Sequence, residues 1–192
     1  MKVLKTAGKI LGLFWYMPFF AVIIPWLVLQ VGYSLDWLIF EYFLKIDQWH
    51  CAPIPLAEQL LQFFGFTSTA LGITILVKAW SDLAGEGKFF PLTIISREHL
   101  RPQKLVTTGI YSKVRHPMLL GYLTILAGLG ILNHSLSTVF WLIPLAGYTA
   151  VRFLEDTEEK ELTIWFGEEY RKYKKKVPAL IPELFRKNEK TD

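Results

Sequence analysis

The stretch HPMLLGYLTILAGLGILNHSLSTVFWLIPLAGYTAVR, from His116 to Arg152, contains no Lys, Asp or Glu and no Arg before its last residue. Asn133-His134-Ser135 interrupts it and leaves two apolar runs, Pro117–Leu132 and Ser137–Val151. A hydrocarbon core needs about 20 helical residues to cross, so each run nearly spans a bilayer and the polar triplet reads as a tight turn. The expected object is a membrane-embedded helical hairpin whose two open ends meet at one water interface. Both ends carry candidate chemistry. Tyr111, Arg115 and His116 lead into the hairpin, and Arg152, Asp156, Glu158 and Glu159 lead out of it.

The rest of the 192 residues suits a hairpin in lipid. Hydrophobic residues make up 52% and aromatics 15%, including 7 Trp, and the mean hydropathy is positive. A soluble domain of this size would struggle to hide that much apolar surface, so membrane helices are expected. The formal charge of +4 fits loops facing anionic headgroups. No basic stripe with interleaved aromatics points to nucleic acid. Cys51 stands alone, which excludes an intrachain disulfide and leaves no metal framework visible.

Lys2, Lys5 and Lys9 precede the uncharged run Ile10–Leu29. That run is too long for a signal-peptide core and no small-residue cleavage site follows, so a retained membrane helix is expected, kinked at Pro18 and Pro25. From Gly32 to Pro55, Asp36, Glu41, Lys45 and Asp47 alternate with Trp37, Phe40, Tyr42, Phe43 and Trp49. This reads as a short interfacial helix, with a partial or tilted fifth span over 36–46 left open. Leu60–Val77 is a second clear span, whose Ser68, Ala70 and Gly72 permit close helix approach.

Lys78 to His116 is polar and basic. After Arg152 an amphipathic helical pattern continues to about Tyr173, then gives way at Val177-Pro178 and Ile181-Pro182. Loop charge places the N-terminal lysines, the 78–116 stretch and the Lys-rich tail in the cytoplasm, with Asp36–Asp47 and the Asn133 turn outside. The expected fold class is all-α, a polytopic integral membrane helix bundle of four to five spans with both termini cytoplasmic. Residues 1–99 would supply the N-terminal membrane helices, and 100–192 the hairpin, its functional mouth and the tail. Nothing in the sequence speaks to oligomeric state.

Three elements meet at the hairpin mouth. In the first, Gly109 permits a turn within Leu105-Val106-Thr107-Thr108-Gly109-Ile110-Tyr111, and Pro117 can open a helix because its missing donor is unpaired there anyway. Taken alone, Arg115-His116 serves equally as an interfacial anchor and Tyr111 as a belt aromatic. In the second, Glu155, Glu158, Glu159 and Leu162 share one helical face, while Arg152 and Asp156 pair at i, i+4 on the next. A solvated acidic face is the plain reading, but a carboxylate this close to lipid wants a partner such as Arg115, Arg152 or a cationic ligand. The third is Phe166-Gly167-Glu168-Glu169-Tyr170-Arg171-Lys172-Tyr173 with Lys174-Lys175-Lys176. Its Gly167 ends or bends a helix, its aromatics can close over a pocket, and its lysines suit headgroups.

Taken in order, Leu-Val-Thr-Thr-Gly-Ile-Tyr, Arg-His-Pro, the apolar hairpin, Glu158-Glu159-Lys-Glu-Leu162, Phe166-Gly167, Tyr170 and Tyr173 resemble the isoprenylcysteine carboxyl methyltransferases. The related phospholipid methyltransferases share much of the pattern. The resemblance covers about residues 100–182. It implies an integral membrane methyltransferase with S-adenosyl-L-methionine bound in a cytosolic cofactor pocket at the hairpin mouth. By motif position the cofactor contacts fall on Gln103, Lys104, Leu105, Val106, Tyr111, His116, Pro117, Met118, Leu119 and Glu158. Family members often carry Tyr where this chain has Leu119, and some carry Arg where it has Leu154, with Arg152 half a turn earlier. Arg115 and Arg152 are the candidates for the catalytic, substrate-orienting role.

No Gly-x-Gly-x-x-Gly follows a predicted strand, so a Rossmann cofactor site is not expected. Methyl transfer is an in-line displacement. A C-terminal carboxylate with a pKa of about 3.3–3.7 is already ionised at neutral pH and needs no base, so alignment and exclusion of water would carry the reaction. A two-pronged Arg contact would orient it. The implied partner is a prenylated cysteine entering laterally from the bilayer lipids. The alternatives are a phospholipid amine or another isoprenoid lipid as methyl acceptor, or a membrane scaffold or permease without enzymatic activity.

Overall fold

The computed structural model describes residues 19–46, 55–86 and 104–181. Among the described residues the chain is all-helical, with no strand. Helix α1 runs over Phe19–Phe43 and α2 over Pro55–Glu86. A short 3-10 turn at Gly109–Ser112 leads to α3, Pro117–Leu132. Helix α4 opens as a wide π turn over Thr138–Leu142 and continues over Ile143–Asp156. Two short helices follow, α5 over Glu158–Phe166 and α6 over Glu168–Lys176.

The hairpin forms where the charge gap places it. Pro117 opens α3, α3 stops at Leu132, and the Asn133–Ser135 turn returns the chain, with His134 in the left-handed region at φ 55. Prolines also leave a mark. Pro25 and Pro144 each follow a wide π turn, over Phe19–Ile23 and Thr138–Leu142. A proline ring clashes with the carbonyl four residues earlier and removes one donor, and a widened turn accommodates both.

Helices α1 and α2 are each long and apolar enough to cross a membrane. At about 1.5 Å per residue, α2 is about 48 Å long, more than the thickness of a hydrocarbon core, about 30 Å. Trp26, Val31, Phe63, Phe66, Phe140, Trp141, Leu145 and Phe153 are all exposed. Such an outward apolar surface suits lipid and not water.

Small residues set the contact between α2 and α3. A Cβ added at Gly72 would lie 2.6 Å from the Gly121 carbonyl oxygen, and one at Gly128 would lie 2.7 Å from that of Gly65. Ser68 Oγ donates to the Thr124 carbonyl at 3.0 Å between these two crossings. Gly72 and Ser68 thus work as their size predicts, whereas Ala70 faces outward.

The stretch from Gly32 onward departs from its sequence reading. No separate interfacial helix begins there; α1 continues unbroken through Gly32 and Asp36 to Phe43. Asp36 looked like an interface marker, yet it is buried. It accepts from Ser135 Oγ at 2.6 Å and from the Ser137 backbone N–H at 2.8 Å. A buried carboxylate is tolerated when donors surround it, so this charge fastens α1 to the hairpin turn and leaves the helix intact. Residues 10–18 of the expected first span and 47–54 lie outside the described residues.

Candidate functional site

The end of the bundle opposite the Asn133 turn gathers the motif residues. Lys104, Leu105, Val106, Tyr111, Arg115 and His116 line a single cavity, closed by Leu162, Tyr170 and Tyr173 from α5 and α6 and by Leu83 from α2. Its volume is about 50 Å³, room for a water or two.

Each wall has a local cause. Gly109 sits at φ 57, in the region that favours glycine, and any Cβ there would overlap the Asp82 carboxylate. Asp82 Oδ2 accepts the Ile110 N–H at 2.9 Å, and Thr108 Oγ1 donates to Glu86. The end of α2 thereby holds the turn that carries Tyr111. Gly167, at φ 55, breaks the helix so that α6 folds back. Tyr170 and Tyr173 then pack with Leu105 and Val177, backed by Leu162 and Phe166. Tyr173 Oη donates to the Tyr111 carbonyl at 2.7 Å. Beyond α6 the chain runs beneath the site, where the Arg115 and His116 N–H groups donate to the Pro178 and Ala179 carbonyls at 2.9 and 3.0 Å.

Glu159 is the electrostatic hub. Its side chain is 1% exposed and pairs with Arg115 Nη1, with His116 Nε2 at 2.9 Å and with Lys174 Nζ at 2.7 Å. Burial alone would raise this carboxyl. Hydrogen bonds from His116 and Lys174 and the charge of Arg115 overrule burial and hold it at about 2. Arg115, 8% exposed, also reaches Glu155 at 3.7 Å. Glu155 in turn meets Arg152 at 3.4 Å.

Glu158 behaves differently. Its side chain is 54% exposed at the rim, with Oε2 at 3.8 Å from His116 Nδ1. The protein packed around it desolvates the carboxyl and pushes it above the ordinary range; Glu159 and Glu161 reinforce this and His116 opposes it. Burial, and then the charge of Glu158, raises the Tyr111 hydroxyl, so the two halves of the motif face each other. Two buried donors on this cluster, Arg115 Nε and the Tyr170 hydroxyl, have no hydrogen-bond partner.

The sequence candidates thus divide. Lys104, Leu105, Val106, Tyr111, Arg115 and His116 converge, and Glu158 stands beside them. Pro117 is buried as the first residue of α3, while Met118 and Leu119 are half-buried on its first turn and outside the cavity lining. Arg152 is 64% exposed and meets the cluster at Glu155. Its pairing with Asp156 is replaced: Asp156 binds Lys160 at 3.0 Å. Gln103 lies outside the described residues.

The sequence reading passed over the hub. Glu155 and Glu159, read as part of a solvated acidic face, are bridged by Arg115 between them. Lys174, read as a headgroup contact, neutralises Glu159. The signal available was the cost of a carboxylate near lipid, which demands partners.

The family model described as phospholipid methyltransferase matches residues 60–169. The chain is 32% identical over 123 residues to protein-S-isoprenylcysteine O-methyltransferase of Schizosaccharomyces pombe, covering 62% of this chain and 51% of that protein. It is 35% identical over 96 residues to the human protein of the same name, covering 46% and 31%. Methanethiol S-methyltransferase of Crocosphaera subtropica is 30% identical over 159 residues, covering 73% of this chain and 56% of that protein. The chain therefore spans between about a third and somewhat over half the length of these relatives. No solved structure matches it.

Proposed function

The chain belongs to the phospholipid methyltransferase family, and on that premise we propose that it is an S-adenosyl-L-methionine-dependent membrane methyltransferase. Its acceptor in this reading is the C-terminal carboxylate of a prenylated cysteine. The observation that carries the reading is the convergence of Tyr111, Arg115, His116, Glu158 and Glu159 at one end of an apolar bundle. The names of the yeast and human relatives supply the acceptor.

The donor set fits the cofactor. Arg115 Nε and the Tyr170 hydroxyl, both buried and without partners, suit an acceptor such as a carboxylate. Glu158, at the rim with its carboxyl raised, suits an ammonium or a ribose hydroxyl, and Tyr111 offers an aromatic wall. Because the cavity is far smaller than a nucleoside, seating one requires it to widen toward Glu158. The bound cofactor supplies an electrophilic methyl group on a sulfonium.

The chain's own residues then orient and desolvate. Arg115 has both terminal nitrogens committed to Glu159 and Glu155, so it stiffens the mouth and is poorly placed to turn toward a substrate. Arg152 is the more available clamp for the incoming carboxylate, which is ionised at neutral pH and needs no base. Lateral approach from the bilayer would bring the prenyl chain to the same end. In this reading α1 to α4 all cross, giving four spans, with the site and both termini cytoplasmic; the basic 78–116 stretch and Lys-rich tail support that orientation. Residues 1–99 supply membrane helices, and 100–192 form the cofactor-binding catalytic region.

A phospholipid amine or another isoprenoid lipid is the second reading, favoured by the family description. Labelled S-adenosylmethionine with farnesylcysteine, phospholipid and thiol acceptors, offered separately to the protein in nanodiscs, tests both. Formation of a base-labile methyl ester on farnesylcysteine is expected. Transfer only to lipid or thiol overturns the acceptor, and transfer to none overturns the activity.

A further inference from the structure

Glu159 touches no open part of the site, yet three cationic or donor side chains converge on it from two segments. Lys174 comes from α6, and Arg115 and His116 precede α3. Such effort on one buried carboxylate fixes the charge state of something, and the geometry shows what. An ionised carboxylate only accepts hydrogen bonds. With its carboxyl held at about 2, Glu159 is ionised at neutral pH. The 2.9 Å contact to His116 Nε2 therefore requires the proton to sit on Nε2. The other ring nitrogen, Nδ1, is then left without a proton in the neutral imidazole. It points to the rim, 3.8 Å from Glu158 Oε2.

The His116 main chain is held by the Ala179 carbonyl, Pro117 follows it as the first residue of α3, and the residue is buried. Lys174 holds the other oxygen of Glu159, Oε2, at 2.7 Å.

We infer that Glu159 and Lys174 are positioning residues that lock His116 as its Nε2–H tautomer, so that Nδ1 and Glu158 form a two-acceptor subsite for a hydrogen-bond-donating cation. Resting on the proposed cofactor, the group of matching chemistry is the α-ammonium of S-adenosylmethionine, which donates three hydrogen bonds. This assignment reverses the simplest use of His116, donation to the cofactor carboxylate, because the Nε2–H tautomer turns its donor inward to Glu159. The carboxylate is left to the partnerless donors Arg115 Nε and Tyr170 Oη.

Nitrogen NMR of the ¹⁵N-histidine-labelled protein in nanodiscs, above the ordinary imidazole titration range, reads the tautomer with no cofactor present. His116→Gln assigns the signal. The wild type is expected to show Nε2 protonated and Nδ1 bare. In Glu159→Gln, whose amide can donate or accept, the population should move toward Nδ1–H, with Lys174→Met giving a smaller move the same way. Binding of S-adenosylhomocysteine against its analogue lacking the amino group gives the second reading. The wild type should lose about tenfold or more in affinity with the amine, and Glu159→Gln should flatten that ratio. A wild-type Nδ1–H signal, or a Glu159→Gln protein that keeps both tautomer and amine preference, overturns the lock. If neither ligand binds while the tautomer is as stated, the cofactor assignment fails and the positioning role stands.

Discussion

Replacing Glu159 with Ala should destabilise the site far more than replacing any other acid near it. The magnitude follows from the ion pairs. The carboxyl titrates at about 2 against an ordinary 4.5, which at about 1.4 kcal/mol per tenfold corresponds to about 3 kcal/mol favouring the folded state. Truncating one member of a buried pair costs about 3–5 kcal/mol, because Arg115, 8% exposed, is left charged with only the longer Glu155 contact. The pH dependence has a definite sign. A carboxyl lowered by folding stabilises fully above its unfolded value and loses that contribution as pH falls from 4.5 toward 2. Unfolding of the wild type and Glu159→Ala in detergent micelles, followed by tryptophan fluorescence at neutral pH and in acid, measures both quantities. The variant should be weaker by about 3 kcal/mol at neutral pH, and the gap should close as acid protonates the wild-type carboxylate. A gap below about 1 kcal/mol, the range of exposed pairs, or one that persists unchanged into acid, would refute the hub.

Gly109→Ala should cost about 1–3 kcal/mol through the forbidden φ and push the Tyr111 turn off Asp82, seen as weaker cofactor binding in calorimetry. Gly121→Leu should force α2 and α3 apart, since a Cβ there already lies 2.9 Å from the Gly72 carbonyl. The expected loss is about 1–3 kcal/mol in denaturant titration, whereas Gly85→Ala, which meets nothing within 4 Å, should be neutral or stabilising. Arg152→Ala should leave stability within about 0.5 kcal/mol, as its exposed ion pair is worth little. It should raise KM for a carboxylate acceptor with the affinity for S-adenosylmethionine unchanged, measured by steady-state methylation.

The hairpin was legible because exclusion of charge from lipid is written residue by residue, and α3 runs from Pro117 to Leu132 as the charge gap demands. The clustering of Tyr111, Arg115 and His116 with Glu158 was legible from the same fold-back. Asp36 misled because a charge was read as a wet position, when serine and backbone donors from a segment about a hundred residues later satisfy it. Glu159 was obscured for a related reason. Adjacent carboxylates look alike in sequence, and only the return of α6 at Gly167, bringing Lys174 alongside, decides which is buried and paired. Single-residue polarity records the cost of burial but not the partner that offsets it.

Equilibrium binding of S-adenosylmethionine to the purified protein in nanodiscs, by titration calorimetry, tests most directly whether the two polar segments joined by the hairpin form one cofactor site. Saturable binding by the wild type is expected, with loss in Glu158→Ala and His116→Ala proteins that still unfold cooperatively. A wild type that does not bind, or variants on either side of the hairpin that bind as tightly as it does, would contradict it.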